Sequence, residues 1–172
     1  MRRVGIVGAL CALAAFGAAG TAAAPPKLAR PPAGCRGSTT MMLPTIGRAI
    51  GAPPVFAADF GPGRAKLHVE NGPHTKYGWR VKVLVVVDAE QTDTLSLGLR
   101  RIGSRRALWF RVQGQPPSTK PVLDPAHPPV PAEESSRWKE FPSYFFLPSA
   151  GCFRLEANWP GGSWARRFAG GR

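Results

Sequence analysis

Arg100-Arg101-Ile102-Gly103-Ser104-Arg105-Arg106 places four arginines in seven residues. A guanidinium presents a planar fork of donors that matches phosphate and carboxylate oxygens. Arg166, Arg167 and Arg172 crowd the C-terminus in the same way. Trp109, Trp138, Trp159 and Trp164 add stacking faces near these cations. The competing reading is structural: arginines keep a β-surface soluble and guard sheet edges. The whole chain leans the same way, with 23 Lys+Arg against 10 Asp+Glu and a net charge of +13. Such a surplus attracts polyanions or an anionic surface and is silent about fold. Arg100, Arg101, Arg105 and Arg106 are therefore the candidate anion contacts. No helix with a groove-reading pattern stands nearby, so specific nucleic-acid recognition is not expected.

Other chemistries are thinner. His68 and Glu70 fall on one strand face and His74 follows, a set able to hold a divalent metal. The same residues read equally as a polar solvent face beside a turn, and neither metal nor cofactor is expected. Glu133-Glu134 is the one adjacent acid pair, inside a proline-rich loop. Paired carboxylates for glycoside hydrolysis need a rigid scaffold, so these read as solvated loop charges. Gly161-Gly162-Ser163-Trp164-Ala165 misses the last glycine of a nucleophile elbow. H-E-x-x-H, C-x-x-C and phosphate-cradling glycine loops are absent from the sequence. An enzyme is not expected. Pro125-Ala126-His127-Pro128 and Pro128-Pro129-Val130-Pro131 match P-x-x-P, a pattern that reads here as a surface crossing.

The cysteines depend on the N-terminus. MRRVGIVGALCALAAFGAAGTAAAPP has a basic start, an apolar stretch to about Phe16, and then small residues. That is the grammar of a secretory signal peptide, too short to span a membrane well. Residues 1–23 are read as the leader, cleaved after Ala22 or Ala23, and the protein as secreted or extracytoplasmic. Cys11 leaves with the leader, and the net charge falls to +11 as Arg2 and Arg3 go. Cys35 and Cys152 remain, an even pair in an oxidising compartment, and are expected to form a disulfide; two buried free thiols are the competing state. Pro32-Ala33-Gly34-Cys35 has the small residues of a lipoprotein box. Pro32 stands where leucine is usual and the apolar run lies far upstream, so lipid anchoring is not expected.

The elements that must position these groups are strands. Residues 24–34 form a stiff proline-rich lead, and residues 35–172 are read as one domain. A helical turn is expected near Thr45–Ile50 and a short strand near Pro54–Phe60. Ala65, Leu67 and Val69 alternate with Lys66, His68 and Glu70. Trp79, Val81, Val83, Val85 and Val87 share one face of a long strand, and its other face turns apolar at Leu84 and Val86. That pattern marks a central strand covered on both sides at its far end. Residues 94–102 and 107–113 read as a hairpin turning at Gly103-Ser104. Residues 114–136 carry seven prolines and run as a long surface loop, with a short strand around Pro121–Leu123. Ser143–Leu147 is read as a strand that turns at Pro148-Ser149-Ala150-Gly151 and returns as Cys152–Trp159; Pro160-Gly161-Gly162 turns again into the last strand, Ser163–Phe168. About seven strands with Gly/Pro turns between them predict an all-β, immunoglobulin-like β-sandwich with long proline-rich loops.

Trp138 to Ser143 reads W-x-x-x-P-S, and Pro148 to Phe153 reads P-S-A-G-C-F. With Gly78–Val87, these stretches resemble a group of secreted bacterial proteins of uncharacterised function that end in an immunoglobulin-like strand pair carrying a Gly-Cys-aromatic step. The resemblance implies export and an immunoglobulin-like fold, and it brings no catalytic residues. Phe153 stands where tryptophan is frequent in that group. The function expected is a non-enzymatic accessory or binding domain of the cell envelope, acting as a monomer on an unidentified partner. The alternatives are an electrostatic binder of an envelope polymer or lipid head group, and an enzyme whose site is assembled from scattered residues.

Overall fold

A computed structural model describes residues 28–69, 72–131 and 136–172. The leader, Glu70 and Glu133-Glu134 lie outside the described residues. Among the described residues twelve strands form and no helix. In chain order they are β1 (Met41–Leu43), β2 (Gly47–Ala52), β3 (Val55–Ala58), β4 (Lys66–His68), β5 (His74–Thr75) and β6 (Gly78–Asp88). Then come β7 (Leu95–Arg101), β8 (Phe110–Val112), β9 (Val122–Leu123), β10 (Trp138–Leu147), β11 (Gly151–Trp159) and β12 (Gly162–Gly171).

They build two sheets. One runs β1-β2-β3-β6-β10-β8, with β5 also on β6; the other runs β4-β12-β11-β7-β9. All pairs are antiparallel except β4 with β12. The sheets face each other across one core. Val81, Val83, Val85 and Val87 of β6 and Phe141, Phe145 and Leu147 of β10 meet Phe153, Leu155, Ala157 and Phe168 from the other sheet. Phe168 lies at its centre, with ring centroids 5.3 Å from Phe153, 5.5 Å from Phe60 and 5.8 Å from Phe145. The indole of Trp164 donates across the sandwich to the Val55 carbonyl at 3.0 Å. The all-β sandwich predicted from alternation is the fold.

The far end of β6 is covered on both sides, as its apolar outer face predicts. Val86 packs with Phe56, Trp138, Leu43 and Ala49 in a second, smaller cluster. The described part of the lead, from Leu28, is packed too. Leu28 is buried in the main core, and the Arg172 amide donates to the Ala29 carbonyl.

Three expectations are corrected. The helical turn near Thr45–Ile50 is a strand: a turn with Thr45 and Gly47 at positive φ leads into β2, which β1 and β3 flank. Ile50 and Ala49 are buried there on opposite sheet faces, which a strand satisfies and a surface helical turn does not. The hairpin expected from residues 94–113 begins as one, with Arg100 bridged to Ala107 and the Leu108 amide on the Leu99 carbonyl. The chain then leaves: β8 pairs with β10, in the sheet opposite β7. Phe110 and Val112 are buried in the core from that side. Likewise β11 does not return along β10; Pro148-Ser149-Ala150 carries the chain from one sheet to the other. Local alternation reports which residues face inward, and both sheets share the same inside.

Candidate anion-binding face

Residues of β11 alternate cleanly. Phe153, Leu155 and Ala157 point into the core, which leaves Cys152, Arg154, Glu156 and Asn158 on the outer face of the five-stranded sheet. A two-residue turn at Pro160-Gly161 sets Trp159 against Gly162, and the register then puts Arg154 opposite Arg167 of β12. On its other side Arg154 stands opposite Arg100 of β7. Three arginines therefore lie side by side across three strands. The Arg167 amide donates to Ser38 Oγ at 2.9 Å and its carbonyl accepts from the Ser38 amide at 2.7 Å. Its backbone polar groups thus point away from β11. Arg154 and Arg167 form a non-hydrogen-bonded pair, the kind in which side chains stand closest.

One carboxylate serves this row. Glu156 Oε1 lies 2.9 Å from the Arg100 guanidinium and 2.6 Å from Arg154 Nε. The first contact is a hydrogen bond. The second is a close ion pair in which the N–H is not aimed at the oxygen, so the buried Nε of Arg154 lacks a hydrogen-bond partner. Gly98 stands opposite Glu156 on β7, and a Cβ there would make ordinary contact with the Glu156 side chain at 3.8 Å. The five strands of this sheet carry Lys66, Arg100, Arg101, Arg154, Arg166 and Arg167 against that single acid.

The four arginines expected to act together are divided. Arg100 and Arg105 line a depression of about 300 Å³ with Arg154 and Arg167. Arg106 lines a different cleft, of about 440 Å³, at the end of the sandwich. Arg101 borders both. It is fixed there by hydrogen bonds to Ser149 Oγ at 3.0 Å and the Ala150 carbonyl at 3.4 Å. Gly151 makes this possible: a Cβ at that position would lie 3.0 Å from Arg101 Nε. In the sequence Arg167 stands out only as one of the C-terminal arginines, and Arg154 does not stand out at all. Arg166, their neighbour, instead reaches between the sheets to the Gly51 carbonyl.

The basic character continues past the disulfide. Cys35 and Cys152 are bonded, with Cα atoms 5.4 Å apart, as the cysteine count predicts. Beside them Arg30, Lys66, His68 and Arg172 line another open depression. His68 faces that depression and His74 the end cleft. Glu70, the third candidate metal ligand, lies outside the described residues. Among the described residues no three metal-ligating side chains come together.

No protein-family model matches the chain, and no curated protein matches it. Solved structures that are distantly similar include these two. One is a candidate lipoprotein from Bacillus anthracis, 14% identical, with 79% of this chain and 86% of that one covered and a TM-score of 0.49. The other is the ASH/PapD-like domain 7 of human CEP192, 11% identical, covering 76% of this chain and 92% of that one, with a TM-score of 0.30. At these scores the assignment of the fold rests on this chain's own two sheets and shared core.

Proposed function

We propose that this protein is an exported, non-enzymatic binding domain that attaches to anionic groups of the cell envelope through the outer face of its five-stranded sheet. The observation that carries the reading is the Arg167–Arg154–Arg100 row, in which Glu156, on Arg100 and Arg154, is the one carboxylate in contact among the described residues. Like charges directly opposite on neighbouring strands cost roughly as much as opposite charges gain, about 0.2–1 kcal/mol a pair. A phosphate or carboxylate seated on the row relieves that repulsion and meets several guanidinium forks at once. Guanidinium groups stay protonated at neutral pH, so they hold anions and do not shuttle protons. The leader grammar and the disulfide support an oxidising, extracytoplasmic location.

The test uses two probes: soluble polyphosphate, and vesicles containing phosphatidylglycerol. Arg105 and Arg167 form no side-chain ion pair or hydrogen bond among the described residues, so Arg105→Ala with Arg167→Ala leaves Glu156 and its partners in place. The wild type should bind at least one probe with an affinity that falls steeply as salt rises. The double variant should bind about tenfold more weakly, with a shallower salt dependence. Binding to either probe that ignores salt and both substitutions would sink the proposal. Preference for polyphosphate identifies an envelope polymer as the partner, and preference for vesicles a lipid head group.

A further inference from the structure

Three chain segments meet at the end of the sandwich nearest the Gly103-Ser104 turn. The β5–β6 turn brings His74, Thr75, Lys76 and Tyr77; the β7–β8 connection brings Arg101, Ser104, Arg106 and Trp109; Pro148 comes from the sheet crossing. They enclose an open cleft of about 440 Å³, within the usual range for small-ligand sites. Its walls are unlike those of the arginine row. Tyr77 and Trp109 are half-buried and packed on each other with ring centroids 4.7 Å apart, and Phe146 backs Tyr77 at 5.5 Å. The Phe146 amide holds the Trp109 carbonyl at 3.1 Å, which fixes this aromatic wall to β10. Gly78 permits the tight return: it has φ +124°, and a Cβ would lie 2.7 Å from the Leu147 carbonyl oxygen. Arg101, Arg106 and Lys76 line the same cleft, with the Lys76 ammonium 5.2 Å from the Tyr77 ring centroid, and no lining residue among those described is acidic.

An aromatic wall and three cations with no described acid beside them, together with a serine hydroxyl in the same cleft, fit a ring that is apolar on its face and polar at its rim. We infer that this cleft binds an acidic sugar unit of an extracellular or envelope glycan. A sugar ring lays its C–H face on Tyr77 and Trp109, while its carboxylate or phosphate meets Arg106 and Arg101. Ser104 Oγ already accepts from the Arg106 amide at 3.1 Å, and its own proton is available to a sugar hydroxyl. Single-stranded nucleic acid fits less well. It is usually bound along a track of aromatic platforms, whereas here the two rings form one packed unit.

The cleft shares Arg101 and Ser104 with the depression beside the arginine row, but the residues substituted below line one or the other and not both, so the two readings fail separately. The probe is an oligogalacturonate, with maltohexaose as the neutral control and oligothymidylate as the nucleic-acid control, followed by titration calorimetry. Tyr77→Ala, which removes one stacking contact, and the double variant Lys76→Ala with Arg106→Ala, which removes two cations, should each weaken oligogalacturonate binding by at least about tenfold. The double variant changes only exposed side chains and covers the case in which Tyr77→Ala fails to fold. Arg105→Ala with Arg167→Ala should leave this affinity within about twofold, because neither side chain lines the cleft. Equal binding of maltohexaose, tighter binding of oligothymidylate, or wild-type affinity in the Lys76/Arg106 variant would each overturn the inference.

Discussion

Glu156 is the internal competitor for any anion that approaches the arginine row, and removing its charge is the sharpest perturbation available. Its carboxylate contacts Arg100 and Arg154 and lies on the same outer face. Neighbouring side chains on one sheet face are separated by about 5 Å. An anion bound on the row therefore feels about 0.8 kcal/mol of repulsion from Glu156 in a water-like dielectric, which is about fourfold in affinity. Glu156→Gln keeps the size of the side chain and frees two guanidinium groups. Polyphosphate should then bind about fourfold more tightly, and the logarithmic salt slope should steepen by about 0.9 as one more cation is neutralised by the polymer. The same change should lower stability by about 1 kcal/mol, because the like-charged pairs lose their shared counter-charge. Binding is read by titration across a salt series, and stability by denaturant unfolding without ligand. A folded Glu156→Gln protein that binds polyphosphate no better than the wild type would refute the claim that the row is the contact surface.

The Cys35–Cys152 bond closes a loop of 117 residues. The chain-entropy relation assigns it about 5 kcal/mol, so reduction or Cys35→Ser with Cys152→Ser should move the denaturant midpoint sharply down; an unmoved midpoint contradicts that. Phe168→Ala should cost about 3–5 kcal/mol in unfolding free energy, since three other phenylalanines pack on that ring; a loss below about 1 kcal/mol would show that the core repacks freely. In the long proline-rich loop, the Asp124 carboxyl is held below the usual carboxylate range, first by its hydrogen bond to His127 and then by the Ala126 amide. A depressed carboxyl favours the fold above the unfolded-state pKa and loses that contribution as pH falls through the folded value. His127→Ala should raise the Asp124 titration midpoint seen by NMR, and an unchanged midpoint would assign the depression to the backbone amides.

The long alternating strands were legible in the sequence because one face of each is buried. β6, β7, β11 and β12 all show period two, and the apolar turn of Leu84 and Val86 correctly marked the doubly covered end of β6. Two short strands were not legible: β1 and β5 have three and two residues, too few to show a period. β8 and β9 are as short but fall within stretches read as strands, residues 107–113 and Pro121–Leu123. The sheet switches after Leu108 and after Leu147 were hidden for another reason: alternation is blind to which sheet a strand joins. The site followed the same division. Four adjacent arginines drew notice by sequence proximity, yet the topology parts Arg106 from Arg100 and brings in Arg154 and Arg167. One signal was available for that pair. Once Pro160-Gly161 is read as a two-residue turn, counting back from it sets Arg154 against Arg167. The partnership of β11 with β7, which completes the row with Arg100, comes from tertiary packing alone.

Binding of the purified protein to isolated cell envelopes across a salt series tests the central claim most directly. The account predicts saturable binding that weakens steeply with salt and falls about tenfold in the Arg105→Ala, Arg167→Ala variant. Binding that is indifferent to salt and unchanged in that variant, or no binding even at low salt, would contradict it.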